Sequence, residues 1–493
     1  MFDFRNKINI GNQRAEVDEK YLRSHFLKTP TLKLVNGTDH SIVIGRKGSG
    51  KSALRFHIAS EMKDKQKFVI NITPTEQEFR EFFDHIFNEH RSNLSLEYIN
   101  KIWELTIIFR LLDTVSKSVN ANVAHNLRSQ PEYAALLSNS INTPMGSVIN
   151  HIKTNNIDEN SLYDLNEKIR NYLFKIVKAT GNHFYIFIDS IDDTIHREID
   201  TTNRNDSFSL FFSGLLDFFR WFTDPTQNPL ANHITIKLFV PTDIYNWSIE
   251  RHADHLRQYK NTIKWDRNEL ARFMYSRFVD NIDAKSRREL NRIDNENTAT
   301  DRLWENLFPL NFTVEYYTET AVKTITKDAK DLFLDHTLRR PRDLMEIIRL
   351  VSEVCIEKNL EKPDKAAVID ALNRYSTSMK ESVVEEYRTV LRNIDDILAS
   401  FVGNSPRISK ASLTNILTKD RLLKTDAEIR SACQILHEAC IIGIPNRGEN
   451  AHVGRGIYYY DDADFSKIWQ SREFQIHPAF WNSMGLTKLR NFS

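Results

Sequence analysis

Residues 45–52 read Gly-Arg-Lys-Gly-Ser-Gly-Lys-Ser and follow directly on the apolar run Ser41-Ile42-Val43-Ile44. No other stretch narrows the possible folds as far. Glycines at 45, 48 and 50 let a loop curl tightly enough for its backbone amides to converge on one point, which suits the oxygens of a phosphate. A β-branched run before the loop and a helical pattern from Ser52 to about Met62 place it between a buried strand and a helix. In that context the spacing Gly45-x4-Gly50-Lys51-Ser52 reads as a nucleotide-binding loop. Gly45, Arg46, Lys47, Gly48, Ser49, Gly50, Lys51, Ser52 and Ala53 then surround the phosphates of ATP. Lys51 reaches the β- and γ-phosphates, and the Ser52 hydroxyl binds Mg2+.

The rest of the N-terminal half fits an α/β fold with a parallel sheet. Strands are expected at 41–44, 68–72, 184–188, 234–240 and 261–264. Thr75 and Glu78 are spaced as a capping box for a helix carrying Phe82 and Phe83. A second helix spans about 96–115, and residues 120–165, polar and weakly periodic, read as short helices and loops. The core is expected over 1–265 with a helical insertion at about 75–165, followed by an α-helical lid at 266–380. Over 381–493, helices near 411–417 and 426–439 precede apolar strands at 441–444 and 457–460, the pattern of a winged helix.

Acids and bases then fall at the ends of these elements. Asp189 ends the run Phe184-Tyr185-Ile186-Phe187-Ile188, where a carboxylate can hold magnesium through water. Asp192 and Asp193 lie just beyond, and either can orient an attacking water as catalytic base beside Lys51. Thr242 and Asp243 follow the strand 234–240, beside the γ-phosphate. In the segment Leu338-Arg339-Arg340-Pro341-Arg342-Asp343, an arginine at the start of a helix can reach back to phosphate from a lid. Arg342 is the first candidate, with Arg339 and Arg340 as substitutes. Arg251 and Arg257 are candidates for an arginine finger toward a neighbouring subunit.

Composition sets bounds on partners. With 67 basic and 66 acidic residues among 493, no global positive field points to nucleic acid or anionic membrane. Residues 1–17 lack the apolar centre of a secretory signal, and no apolar stretch approaches the ~20 residues of a membrane span. Cys355, Cys433 and Cys440 have no metal-ligand spacing, which fits a reducing cytoplasm. No Asn/Thr-Lys-x-Asp base-reading element follows the last strands, which favours ATP over GTP.

The loop Ile44-Gly45-Arg46-Lys47-Gly48-Ser49-Gly50-Lys51-Ser52-Ala53-Leu54 resembles the additional-strand P-loop ATPases. Within them it resembles the AAA+/STAND-type bacterial ATPases found in phage-defence gene clusters. The run Ile188-Asp189-Ser190-Ile191-Asp192-Asp193, the Arg-Pro-Arg-Asp segment and the closing winged helix add to the likeness. The domain order is also similar to the origin-recognition type of AAA+ initiator. One departure concerns Ser190, where AAA+ enzymes usually carry a glutamate; the acids at 192 and 193 match STAND spacing better. The resemblance implies an ATP-driven switch that assembles as a homo-oligomer and works with a separate effector, in antiviral defence.

Two other readings compete with this one. In the first, ATP regulates a DNA loader or regulator that grips through the winged helix. Arg421, Lys424, Arg430, Arg447 and Arg455 could form a local patch, although charge over 385–493 is nearly balanced. In the second, the chain is a nucleotide-bound scaffold with negligible turnover. The segment 474–481 is expected to pack against the winged helix, with His477 structural.

Overall fold

The computed structural model describes residues 3–6, 8–15, 17–37, 39–85, 95–118, 121–139, 143–189, 204–242, 244–245, 256–317, 322–388, 390–419, 422–446 and 456–486. The chain forms two compact units: Lys28–Ile263, and Met1–Leu27 together with Lys264–Ser493.

The unit Lys28–Ile263 is built on a five-stranded parallel sheet of β1 (Ser41–Gly45), β2 (Phe68–Ile72), β3 (Phe184–Ile188), β4 (Ile234–Pro241) and β5 (Lys260–Thr262). Their order in space is β2-β3-β4-β1-β5. Every residue of β1, β3 and β4 is buried. This explains why those segments read as continuous apolar runs rather than alternating ones: helices cover both faces of a parallel sheet. The expected capping box is present, with Thr75 N–H donating to Glu78 Oε2 (2.8 Å) and Glu78 N–H to Thr75 Oγ1 (3.3 Å). The other oxygen of Glu78 accepts from Met145 N–H, so this cap also anchors the helical insertion. The helix Leu96–Ser118 is the insertion's axis; Trp103 is fully buried and its indole N–H donates to the Phe211 carbonyl (3.0 Å). Short helices at Ala121–Arg128, Pro131–Ser138 and Pro144–Thr154 occupy the polar stretch as expected.

The second unit corrects several expectations. The first 27 residues, expected with the ATP-binding core, belong here instead. Phe4 and Ile10 are part of this unit's apolar core. Arg277 donates to Asp18 Oδ2 (2.6 Å) and to the Ile10 carbonyl, and its guanidinium lies over the rings of Tyr21 and Phe273. A guanidinium buried in the helix Arg267–Phe278 needs a carboxylate, and the N-terminal segment supplies it. The expected all-helical lid also contains an antiparallel hairpin, β6 (Asn311–Tyr317) with β7 (Val322–Asp328).

The C-terminal part holds a winged-helix arrangement with more sheet than expected. Helices Lys410–Thr418 and Asp426–Glu438 pack with β8 (Arg407–Ser409), β9 (Ile442–Pro445), β10 (Gly456–Ile457) and β11 (Glu473–Ile476). The antiparallel order is β10-β9-β11-β8. Residues 474–476 therefore form a central strand, while Tyr458–Tyr460, expected in a strand, turn away because Asp461 and Asp462 N–H close a turn onto the Tyr458 carbonyl. His477 is structural: fully buried, it accepts from Ala479 N–H at Nδ1 and pairs with the Tyr460 hydroxyl at Nε2 (3.1 Å). All three cysteines are free and buried, and burial pushes the Cys355 and Cys433 thiols up to about 11 and about 12.

Candidate nucleotide site at the strand ends

The loop 45–50 leaves the C-terminal end of β1 and turns into the helix Lys51–Asp64. Gly50 caps that helix at φ +97°, a conformation that a side chain would strain. A Cβ at Gly45 would meet Ser49 Oγ at 2.3 Å and Lys51 Cγ at 3.3 Å, so the loop closes onto itself at its first glycine. Lys51 is buried, and its ammonium donates to the carbonyls of Gly45 (2.9 Å) and Arg46 (3.4 Å). An ammonium held by two carbonyls of its own loop is in place for a stronger acceptor, since a charged oxygen binds it more tightly than a neutral one.

The other site residues arrive through the sheet register. Asp189 follows β3, and its N–H donates to the Ile72 carbonyl on β2 (3.1 Å). Its side chain is 1% exposed. β4 lies between β3 and β1, pairing Ile188 with Leu238 and Gly45 with Pro241. The same register sets Thr242, just past Pro241, beside the start of the loop. Ligands of open parallel sheets bind at these carboxyl ends. Gly45, Lys51, Ser52, Asp189 and Thr242 are therefore all brought to one end of one sheet.

A residue not foreseen from the sequence completes the cluster. Arg55, one turn beyond Lys51, donates from Nε to Asp189 Oδ2 at 2.9 Å, and both side chains are buried. The signal was its i+4 spacing from Lys51, which puts the two cations on one helix face.

Other expected residues lie elsewhere or outside the described set. Ser190, Asp192, Asp193, Asp243, Arg251, Arg421, Arg447 and Arg455 fall outside the described residues. Arg257 is exposed on the turn Arg257–Tyr259, which precedes β5. In the second unit, Arg340 is committed to structure: it is buried, caps the helix Pro341–Glu357 and donates to both oxygens of Asp343 (3.0 Å each). Arg339 has φ +56° and its guanidinium lies 5.2 Å from the Tyr460 ring centre. Arg342 is partly exposed and makes no hydrogen bond or ion pair among the described residues.

No family model matches the chain. It is similar to the 80.3 kDa protein named for transposon gamma-delta in Escherichia coli (strain K12), at 21% identity over 97% of this chain and 67% of that one. Among solved structures it is similar to the Aeropyrum pernix ORC2 protein in its ADPNP–ADP complexes. That match has 10% identity and a TM-score of 0.38, and covers 98% of this chain and 95% of that chain. It is also similar to the Aeropyrum pernix ORC1 protein in complex with DNA, at 12% identity and a TM-score of 0.31 over 90% of this chain and 88% of that chain.

The residues fit a magnesium nucleotide on the structure's own terms. The Gly45 cradle leaves no room for a side chain, the Lys51 ammonium is buried, and Asp189 already holds one cation, the Arg55 guanidinium. Among the described residues no helix is long and apolar enough to cross a membrane, and no cluster of His, Cys, Asp or Glu could hold a metal by itself. A cation bound here would rely on few protein ligands plus phosphate, which is how Mg2+ is usually held.

Proposed function

We propose that the chain binds ATP with Mg2+ at this strand end and hydrolyses it, using the two nucleotide states as a switch. The observation that carries the reading is the pairing of the Lys51 loop on β1 with Asp189 on β3, across the interposed β4. Loop amides and the helix start at Lys51 hold the phosphates, and the Lys51 ammonium leaves its two carbonyls for the β- and γ-phosphate oxygens. Ser52 and Asp189 are the residues that would hold magnesium, which supplies charge neutralisation for phosphoryl transfer. Thr242 contacts the γ-phosphate in this reading, and Asp192 or Asp193 serves as the base that orients water.

The switch reading extends to Arg342, the arginine of the 339–342 segment that structure has not already used. It is the residue proposed to distinguish ATP from ADP. Assembly with further copies and with a separate effector, in bacterial antiviral defence, completes the proposal; it rests on the resemblance of residues 45–54 and 188–193. Mass measurement of the purified protein with ATP and Mg2+, with ADP, and without nucleotide tests assembly. One unchanged mass in all three conditions removes it. Steady-state phosphate release tests hydrolysis: loss in one of Asp192→Asn and Asp193→Asn identifies the base, normal turnover in both puts the base elsewhere, and no turnover by the wild type leaves a nucleotide-bound scaffold.

A second reading is favoured by one feature of the winged helix. Arg430 on the helix Asp426–Glu438 and Lys424 just before it are exposed and make no side-chain ion pair among the described residues. Two exposed cations at a recognition-type helix suit phosphate contacts, and the relative's transposon name is consistent with a DNA setting. Binding to duplex DNA that weakens steeply with salt, and weakens further in Arg430→Ala, would establish it. Equal, salt-insensitive retention of both proteins would dismiss it.

A further inference from the structure

The pairing of Arg55 with Asp189 has a consequence for how the site loads. Asp189 is almost wholly enclosed, so its charge must be matched by a cation. Arg55 provides that match from the second turn of the loop helix. It does so through Nε alone, by a single bond at 2.9 Å to Oδ2 rather than the two-pronged grip that makes arginine–carboxylate pairs hard to separate. The terminal nitrogens of Arg55 make no other hydrogen bond among the described residues.

We infer that Arg55 is the resident counter-ion of Asp189 and that Mg2+ enters the site by exchange with it. The inference rests on the nucleotide reading above and adds a regulatory step to it. A carboxylate oxygen engaged by a guanidinium is a poor partner for hydrated magnesium, and two cations a few ångströms apart in a poorly solvated site repel. The ion pair must therefore open as magnesium and nucleotide arrive together. Nothing covalent changes; one cation replaces another on Oδ2. Loading by metal alone is opposed, because free Mg2+ brings no phosphates to share its charge. The pair thus couples the metal to the nucleotide, keeping the site shut to the bare ion and lowering the affinity for the loaded one. Arg55 is a positioning residue in this scheme, and it acts through Asp189.

The test is the Mg2+ concentration that half-saturates binding of a fluorescent, non-hydrolysable ATP analogue, measured in full-length wild type and in Arg55→Gln. Glutamine keeps a donor for Asp189 but removes the charge. The expected result is a half-saturating Mg2+ concentration about tenfold lower in Arg55→Gln, within the usual range for coupling between two sites. Near-wild-type behaviour is expected of Arg55→Lys, which retains the charge. An unchanged requirement in Arg55→Gln, or a higher one, overturns the inference, the latter because Arg55 would then be helping the metal. Should Arg55→Gln fail to fold, the wild type itself supplies the measurement. The Arg55 Nε–H proton, assigned by its absence in Arg55→Lys, should exchange faster with solvent when Mg2+ and the analogue are both present than with either alone. Equal exchange in all three conditions overturns the inference. Absence of analogue binding by the wild type at every Mg2+ concentration is a different failure, since it removes the nucleotide reading and this step with it.

Discussion

The Lys51 ammonium lies 2.9 Å from the carbonyl oxygen of Gly45, six residues earlier, so the loop's charge is tied to the loop's first residue. That contact closes the loop and marks where a phosphate would displace a carbonyl. Replacing Lys51 by Ala should leave the fold intact, because the lost bonds are to backbone groups at the site's mouth. Affinity for ATP should fall by at least ~10- to 100-fold, as expected for one lost charge-assisted contact of about 1.5–3 kcal/mol. Isothermal titration of both proteins decides; equal affinities would remove the site from consideration.

Arg340 and Arg342 should behave oppositely. Arg340→Ala leaves the buried Asp343 without its counter-charge, holding only the Leu338 N–H, and removing one member of such a pair costs about 3–5 kcal/mol. Arg342→Ala removes no hydrogen bond or ion pair and should change stability by under ~0.5 kcal/mol. In limited proteolysis, however, Arg342→Ala should lose the difference between ATP and ADP expected of the wild type. A full difference in Arg342→Ala would mean that this segment does not read the γ-phosphate.

Asp18 fixes the N-terminal segment to the C-terminal unit through Arg277. Asp18→Ala should lower that unit's stability by about 3–5 kcal/mol, since the Arg277 guanidinium is buried. Removal of residues 1–27 should cost more, because Phe4 and Ile10 leave the same core. Denaturant unfolding gives the comparison, and a loss below 1 kcal/mol for Asp18→Ala would show the pair to be dispensable.

Acid should weaken the α/β unit before it protonates most carboxylates. His40 accepts a hydrogen bond from Ile236 N–H at Nδ1 (3.0 Å), and burial, helped by the Lys237 charge, lowers its pKa to about 4. Burial lowers His57, His151 and His183 in the same unit as well. Each ring is harder to protonate folded than unfolded, so the unfolded chain takes up protons first. Stability present above pH 6.5 is therefore lost as pH falls from 6.5 toward 4. For His40 the loss between pH 6.5 and 5 is about 2 kcal/mol. His40→Gln should flatten the slope by that amount in urea titrations at pH 7 and pH 5, whereas an unaltered slope would exclude His40 as a contributor.

The parts of the fold visible in the sequence are those where a local rule and the tertiary environment agree. β1, β3 and β4 are buried on both faces, so Ile42-Val43-Ile44 and Phe184–Ile188 carry their structure in composition alone. The hairpin β6–β7 was hidden because its Thr- and Tyr-rich alternation sits inside helical sequence, although Phe312 and Val314 do alternate inward. β8 and β11 are three and four residues long, too short for a period to register. At the site, the loop was legible because glycine spacing and flanking elements are local. Arg55 was not, since its partner Asp189 lies 134 residues away. Arg340 was mistaken for a ligand-facing candidate because Asp343, three residues on, reads equally well as a helix-start acid.

The chain visits the C-terminal unit twice, before Lys28 and after Ile263, so the α/β unit is joined to it by two covalent crossings rather than one. The second crossing is short. Ile263 N–H still bonds to the Ile44 carbonyl beside the loop, and Asp266 already caps the next helix. Severing the backbone at either crossing alone would therefore leave the two units covalently attached through the other.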